Sequence, residues 1–271
     1  MAEQGGSLDF FDTGSGAMVG SPVPVLDDGF PNETAFDPSG RTVAVAGVTG
    51  GVTYVGLVDA RDHHVISPFN LGTRTASMSL AFSPNGKNLA IAAASLQSAS
   101  LTPTTPRYID LIDPATGEQT GYIEVGSFNP EAEAGTPDSR RFTSITYLPD
   151  GNLAVSWFDG GTTIWNPSSR RSVKHFDVGG AALADTPDGR TLAVGRSNGD
   201  VALIDVRTGA VSEMDSHHAG PVTSVVFTPD GNTLITSGID GTIKVWDVPT
   251  ARLRATFRGT GGLAVSADGS S

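Results

Sequence analysis

The feature that most limits what this chain can fold into is a turn that keeps returning. Pro-Asp-Gly or a near copy begins at Pro38 ("PSG"), Pro84 ("PNG"), and Pro149, Pro187 and Pro229 ("PDG"), with "ADG" at Ala267. Successive copies lie 46, 65, 38, 42 and 38 residues apart. Proline cannot donate to a strand ladder and glycine accepts positive φ, so each copy closes one strand and opens the next. Self-similarity near forty residues indicates a repeat array rather than a sequence of unrelated elements.

The residues around the turns say what is repeated. Each turn follows a short apolar run: "TAFD", "LAFS", "ITYL", "ALAD", "VVFT" and "LAVS". Each of the first five precedes another: "TVAVAG", "NLAIAAA", "NLAVSW", "TLAVGR" and "TLITSG". A third run ends on an acid or its amide: "GLVD", "IDLID", "TIWN", "ALID" and "KVWD". Runs of this length between such turns read as strands, and no stretch shows capped helical periodicity. Short strands that are apolar on both sides are accommodated by a radial stack of small sheets. The expectation is an all-β fold: a single β-propeller domain over 1–271, made of four-stranded antiparallel blades. Complete blades are expected over 34–66, 78–125, 142–176, 180–214 and 218–258. Residues 1–25 are read as the third and fourth strands of a partial blade, and 261–271 as the first strand of a further or closing one.

Composition narrows the function. The chain of 271 residues carries 29 acidic against 17 basic side chains, a formal net charge of -12. Such a surface repels phosphate backbones and anionic membranes, so neither nucleic acid nor membrane is an expected partner. The absence of cysteine excludes disulfides, thiolate metal sites and a cysteine nucleophile. The N-terminus has no basic-then-apolar export pattern, which leads to an expected cytoplasmic setting. No cofactor is expected.

The stretch from His218 to Asp247 resembles a repeat of the WD-repeat family of β-propellers. In that family a loop His, a second-strand Ser or Thr, a turn Asp and a third-strand Trp occur in this order. Here His218, Thr236, Asp240 and Trp246 match. The resemblance implies that they form a hydrogen-bond chain buried in the blade, and that the protein is a non-catalytic scaffold for protein or peptide. Asp159 and Trp165 match part of the set, with the same six-residue spacing. Asn198 and Ile204 stand at these positions one blade on. The first two repeats have neither residue. Similar divergent repeats occur in long bacterial signalling chains, so the protein reads as the docking or sensing part of a larger signalling protein, and this chain as a fragment of it.

The ends fit that expectation. "GGSLDFFDTGSGAMVG" aligns with "DGTIKVWDVPTARLRA", placing Phe11 on Trp246 and Asp12 on Asp247. Two polar loops, Ser95 to Arg107 and Gly126 to Arg141, are longer than the repeat requires, and loops on a rigid scaffold are where binding evolves. Trp157 and Phe158 end a second strand, and Arg196 holds the position of Trp157 one blade on. These three are the candidate partner-binding residues. The competing function is a propeller enzyme of lactonase or hydrolase type with a channel site. Of the first-strand runs only Asp37 and Asp185 offer an acid for one, and both abut turns. "GRSNG" around Ser197 has the spacing of a nucleophile elbow, but a strand follows where a helix is needed. His63, His64, His175, His217 and His218 show no metal spacing. No catalytic residue and no metal ligand is assigned.

Overall fold

The computed structural model describes residues 6–12, 15, 17–26, 30–49, 52–70, 75–95, 106–127, 142–157 and 160–265. All elements among them are strands. The fold class is the β-propeller, represented by five four-stranded antiparallel blades and one small extra sheet. The chain divides into two compact units, residues 1–135 and 136–271.

The first unit begins with the small sheet, β1 (Gly6–Leu8) paired with β2 (Val23–Leu26). Blade 1 follows as β3 (Phe30–Phe36), β4 (Thr42–Thr49), β5 (Val52–Asp59) and β6 (His64–Asn70). Blade 2 is β7 (Thr75–Phe82), β8 (Leu89–Ser95), β9 (Pro106–Ile112) and β10 (Gln119–Ser127). The second unit holds three blades. Blade 3 is β11 (Phe142–Tyr147), β12 (Leu153–Trp157), β13 (Gly161–Asn166) and β14 (Arg171–Phe176). Blade 4 is β15 (Ala182–Asp185), β16 (Thr191–Gly195), β17 (Val201–Asp205) and β18 (Val211–Glu213). Blade 5 is β19 (Val222–Phe227), β20 (Thr233–Gly238), β21 (Thr242–Asp247) and β22 (Arg252–Arg258). In every blade the strands pair in chain order.

Two kinds of turn build each blade. The Pro-Asp-Gly turn joins the first strand to the second. Its glycine has a φ of 67 to 85° at Gly40, Gly86, Gly151, Gly189 and Gly231, a region that residues with a Cβ adopt only at a cost. The acid before it closes the turn: Asp188 Oδ1 accepts from Thr186 Oγ1 and Arg190 N, and Asp230 Oδ1 from Thr228 Oγ1 and Asn232 N. The second turn joins the third strand to the fourth and explains why each third run ends on an acid or amide. Asp59, Asp113, Asn166, Asp205 and Asp247 each accept a backbone N–H two or three residues on. Asp12 does the same with Ser15 N and Oγ, and Phe11 bridges Met18 as Trp246 pairs with Leu253.

The blades pack face to face within each unit. In the first unit Ala44, Ala46, Val55 and Leu57 meet Leu80, Phe82, Leu89 and Ile91. The small sheet covers the other face of blade 1 with Val23 and Val25 against Val43, Val45 and Val58. In the second unit Ala154, Ile164 and Phe176 of blade 3 meet Leu183, Leu192 and Val194 of blade 4. Val201, Leu203 and Met214 of blade 4 meet Val222, Phe227 and Trp246 of blade 5.

Strand bounds differ from the sequence reading where proline intervenes. Blade 1 runs from Phe30 to Asn70, not 34 to 66. Pro31 and Pro68 lie on its two edge strands, beside a ladder irregularity in the first case, where a missing N–H is tolerated. At the other end, Gly261–Val265 have no ladder partner, and 266–271 lie outside the described residues. Gly261 O accepts from Ser237 Oγ at 2.6 Å and Leu263 N donates to Ser224 Oγ at 3.1 Å, so this segment lies along blade 5.

Glu33 is out of keeping with this core. It pairs with Ala46, a member of the cluster between blades 1 and 2, and burial pushes its carboxyl up to about 7. A carboxyl raised in the folded state stabilises fully below its unfolded value of about 4.3. That contribution is lost as pH rises through the folded value. Stability of the parent should therefore fall between about pH 4 and pH 7, and Glu33→Gln should flatten this part of the curve. Urea unfolding at a series of pH values checks it, and identical slopes for the two proteins would exclude a buried Glu33.

Candidate functional site

In blades 4 and 5 the loop between the second and third strands and the loop that enters the blade meet at one edge. In blade 5 that edge is fastened from below. Trp246, His218 and Thr236 are fully buried. Trp246 Nε1 donates to Thr236 Oγ1 at 2.9 Å, and Thr236 Oγ1 meets His218 Nε2 at 2.7 Å. His218 Nδ1 lies 3.2 Å from Asp240 Oδ1. The hydroxyl already accepts from the indole, so its own proton goes to His218 Nε2. The imidazole then carries its hydrogen on Nδ1 and donates to the carboxylate. The proton order runs from Trp246 through Thr236 and His218 to Asp240.

The electrostatics of the two ionisable groups agree with that order. Burial lowers the His218 pKa against the pull of Asp240, so the ring is neutral. Burial alone would raise Asp240. Bonds from Ala219 N at 2.8 Å, from Thr242 N and Oγ1, and from His218 outweigh it and hold the carboxyl well below its ordinary value. The network therefore pins the Asp240 turn to the loop entering the blade.

The ladder registers show what the other blades put in the same place. The Thr236 and Trp246 positions are Val45 and Val58 in blade 1, Ile91 and Ile112 in blade 2, and Val194 and Ile204 in blade 4. All six are buried. Blade 3 is mixed: Trp165 stands opposite Leu153 as Trp246 stands opposite Leu234, but Val155 replaces Thr236. Among the described residues Trp165 Nε1 has no acceptor. Asp159, expected to share a network with Trp165, lies outside the described residues, as does Phe158.

The other candidates fall as follows. Trp157 ends β12, half-buried, opposite Gly161. Gly179 passes so close that a Cβ there would reach the Trp157 carbonyl oxygen, so the Trp157 backbone is clamped. Arg196 stands one residue beyond β16, on the rung of Trp157 and Gly238, and Nη1 donates to Glu213 Oε1 at 3.0 Å. Residues 96–105 and 128–141, most of the two long loops, lie outside the described residues. One residue of this edge escaped the sequence reading. Ile239, next to Gly238, matches Phe158 in register and is 64% exposed. Lining up the blades on the residue after each second strand would have found it.

The chemistry needed for a catalytic reading is sparse here. Asp37 is consumed by its turn, accepting from Thr42 N and Ser39 Oγ. Asp185 accepts from Thr146 Oγ1 at 2.9 Å across the blade 3–blade 4 junction, and burial raises it to about 6. Ser197 lies in a turn closed by Gly199 N donating to Arg196 O, with strand β17 after it. His63 stacks on Phe10, His175 Nδ1 meets Thr163 Oγ1, and no group of three metal-ligating side chains occurs among the described residues.

Comparison with known proteins agrees with the local geometry. Residues 210–247 match the family model for the WD domain, G-beta repeat. That span holds all four network residues. The chain is also similar to the meiotic recombination protein rec14 of Schizosaccharomyces pombe, 31% identical over 84 residues. The similarity covers 30% of this chain and 28% of that protein.

One pair of substitutions tests the network in both directions. Thr236→Val removes the acceptor of Trp246 and the donor to His218, and should cost roughly 1–3 kcal/mol for each group left unpaired. Val155→Thr offers Trp165 the acceptor it lacks and should stabilise by about 1 kcal/mol. Urea midpoints decide it: equal values for the Thr236→Val protein and the parent would mean that the four residues are not linked.

Proposed function

We propose that the chain is a WD-repeat β-propeller, a kind of protein that generally serves as an interaction scaffold, and that it binds a protein or peptide at the loop edge of blades 3 to 5 without catalysing a reaction. The observation that carries the reading is Ile239. A large apolar side chain, 64% exposed, sits on a turn that the Asp240 network locks to the fully buried residues beneath it. A rigid exposed anchor loses little entropy when it is covered. Trp157 and Arg196 stand on the neighbouring rung in blades 3 and 4 and supply the aromatic and guanidinium contacts that dominate interface energies. Arg196 keeps Glu213 as its partner, so a docked segment would share an existing ion pair rather than cover a bare charge.

The formal charge of -12 favours a neutral or basic partner segment and makes its association salt-dependent. The reading extends to a docking or sensing role within a larger cytoplasmic signalling protein. The expected outcome of replacing Ile239, Trp157 and Arg196 by alanine is a loss of about 2 kcal/mol or more per dominant anchor, roughly thirty-fold in affinity. Partners captured by the parent and identified by mass spectrometry should be missing from the triple variant, while its thermal midpoint stays within a few degrees. Retention of every partner by a folded triple variant would exclude this edge.

A further inference from the structure

The last strand of blade 2 is built unlike those of the other four. It is an outer edge of its sheet, and no described strand pairs with it from outside. An edge strand offers backbone N–H and C=O groups to any extended chain, and proteins blunt it with proline, positive charge or brevity. The other blades do so with Pro68 on β6, Arg171 and Lys174 on β14, the three residues of β18, and Arg252, Arg254 and Arg258 on β22. The strand β10 has none of these devices, and at nine residues it is the longest described strand. It is also held firmly, with Ile123 fully buried and Val125 9% exposed. Its pairing with β9 is irregular at each end and regular from Gly121 to Glu124. Similar irregularities accompany β6, β14 and β22, so they do not set β10 apart.

The side chains along the regular stretch define what can lie against it. Tyr122 stands opposite Asp110 and Glu124 opposite Tyr108, so all four project from one face of the sheet. The rings of Tyr108 and Tyr122 meet edge to face, with centroids 4.9 Å apart, and remain 39 and 45% exposed. Asp110 Oδ1 accepts from Gln119 Nε2 at 2.7 Å. Glu124 is exposed and is the one charged residue of β10. A carboxylate beside exposed aromatic rings suits an ammonium or guanidinium group, by ion pairing and by contact with a ring face.

Charge points the same way. From Tyr108 to Val125 there are four acids, Asp110, Asp113, Glu118 and Glu124, and no lysine, arginine or histidine. The corresponding part of blade 3, Thr163 to Phe176, holds Arg170, Arg171 and Lys174 and no acid. The unit that contains blade 2, residues 1–135, carries 15 acids and 5 lysines and arginines. We propose that the outer edge of β10 is an interaction surface for a basic, extended segment of a partner protein, which adds a fifth strand to blade 2 along Gly121 to Glu124. A lysine or arginine of that segment lies opposite Glu124 or over the Tyr122 ring, and β-branched residues alternate with it along the ladder. A second copy of this edge is a poor occupant, because like charges brought together across a ladder repel. The surface involves none of Ile239, Trp157 and Arg196, so it stands or falls apart from the loop-edge reading.

The test uses the full chain and two short acetylated peptides, one alternating lysine with valine and threonine, the other with glutamate in place of each lysine. Fluorescence anisotropy measures binding, and amide hydrogen exchange locates it. The lysine peptide should bind at least about ten-fold more tightly than the glutamate peptide, and salt should weaken it. Its binding should slow exchange in Gly121 to Glu124. Glu124→Lys, at an exposed site, should reverse the preference between the peptides without moving the thermal midpoint. Should that variant unfold, Glu124→Gln takes its place and should narrow the preference. The proposal is overturned if the parent binds neither peptide at millimolar concentration, binds both equally, or gains protection only outside β10. A Glu124→Lys protein that keeps the parent's preference overturns it as well, and so does a parent whose β10 becomes protected by self-association.

Discussion

Blades 3 and 4 each depend on a second strand with no free side. In β12 the residues Leu153 to Ser156 are fully buried, and β16 buries Leu192 to Val194 in the same way. A strand in that position is satisfied only if both neighbours in its own sheet and both neighbouring faces are supplied. The turns supply the first requirement and the repeat supplies the second. Close approach then becomes a sequence constraint. A Cβ on Gly195 would lie 2.5 Å from the Val222 side chain, and one on Gly180 would lie 2.3 Å from the Gly195 carbonyl oxygen. The glycines at these crossings set how tightly blades 3, 4 and 5 are stacked. The stack in turn fixes the rung on which Trp157, Arg196 and Gly238 stand.

The same buried spot is filled in three ways, and the comparison separates stability from positioning. Blades 1, 2 and 4 use paired aliphatic side chains there, which need no partners. Blade 5 uses a four-member polar chain. Apolar replacement of a buried polar group is often no worse for stability, so core strength does not explain the network. What the aliphatic pairs cannot do is hold a loop. Asp240 accepts from Ala219 N and Thr242 N at once, tying the turn after β20 to the loop before β19. Blade 3, with Trp165 over Val155, retains the large side chain, and among the described residues its indole N–H has no acceptor.

The repeat, the turn chemistry and the full network in blade 5 were legible because they depend on residues close in sequence with distinctive side chains. Proline, glycine and an Asx side chain act within a few residues of themselves. The acid ending each third run was visible, but its task was not, since an Asx bond to the next turn leaves no pattern beyond the acid. Ile239 was missed because nothing in its own residue type marks it as exposed; it stands out only when the residue after each second strand is compared from blade to blade. The unsatisfied Trp165 was missed for a related reason: the substitution that orphans it, Val155, is ten residues away on another strand. Outer strands were hardest to bound. The strand β18 is three residues long, Val211–Glu213, and its residues are exposed, so no alternation marks it.

The outer strands also restrict how anything can dock. An exposed edge strand invites pairing by another chain, and positive charge, proline and brevity discourage it. Four of the five blades use one or more of these on the last strand; β10 of blade 2, nine residues without proline or a basic side chain, does not. The strand β6 carries Pro68, β18 is cut short, β14 carries Arg171 and Lys174, and β22 carries Arg252, Arg254 and Arg258. In a chain with only 17 basic residues, placing five on two edge strands is a strong bias. A binding mode that adds a strand to a blade is therefore opposed at the outer edges of these four blades. Side-chain contacts on a loop edge are not opposed in this way. Ile239 lies on this edge, on a turn that the Asp240 network fastens to the fully buried His218, Thr236 and Trp246. The arrangement that discourages strand addition thus leaves recognition on these blades to a few rigid side chains, whose spacing is set by the stacking of the blades beneath them.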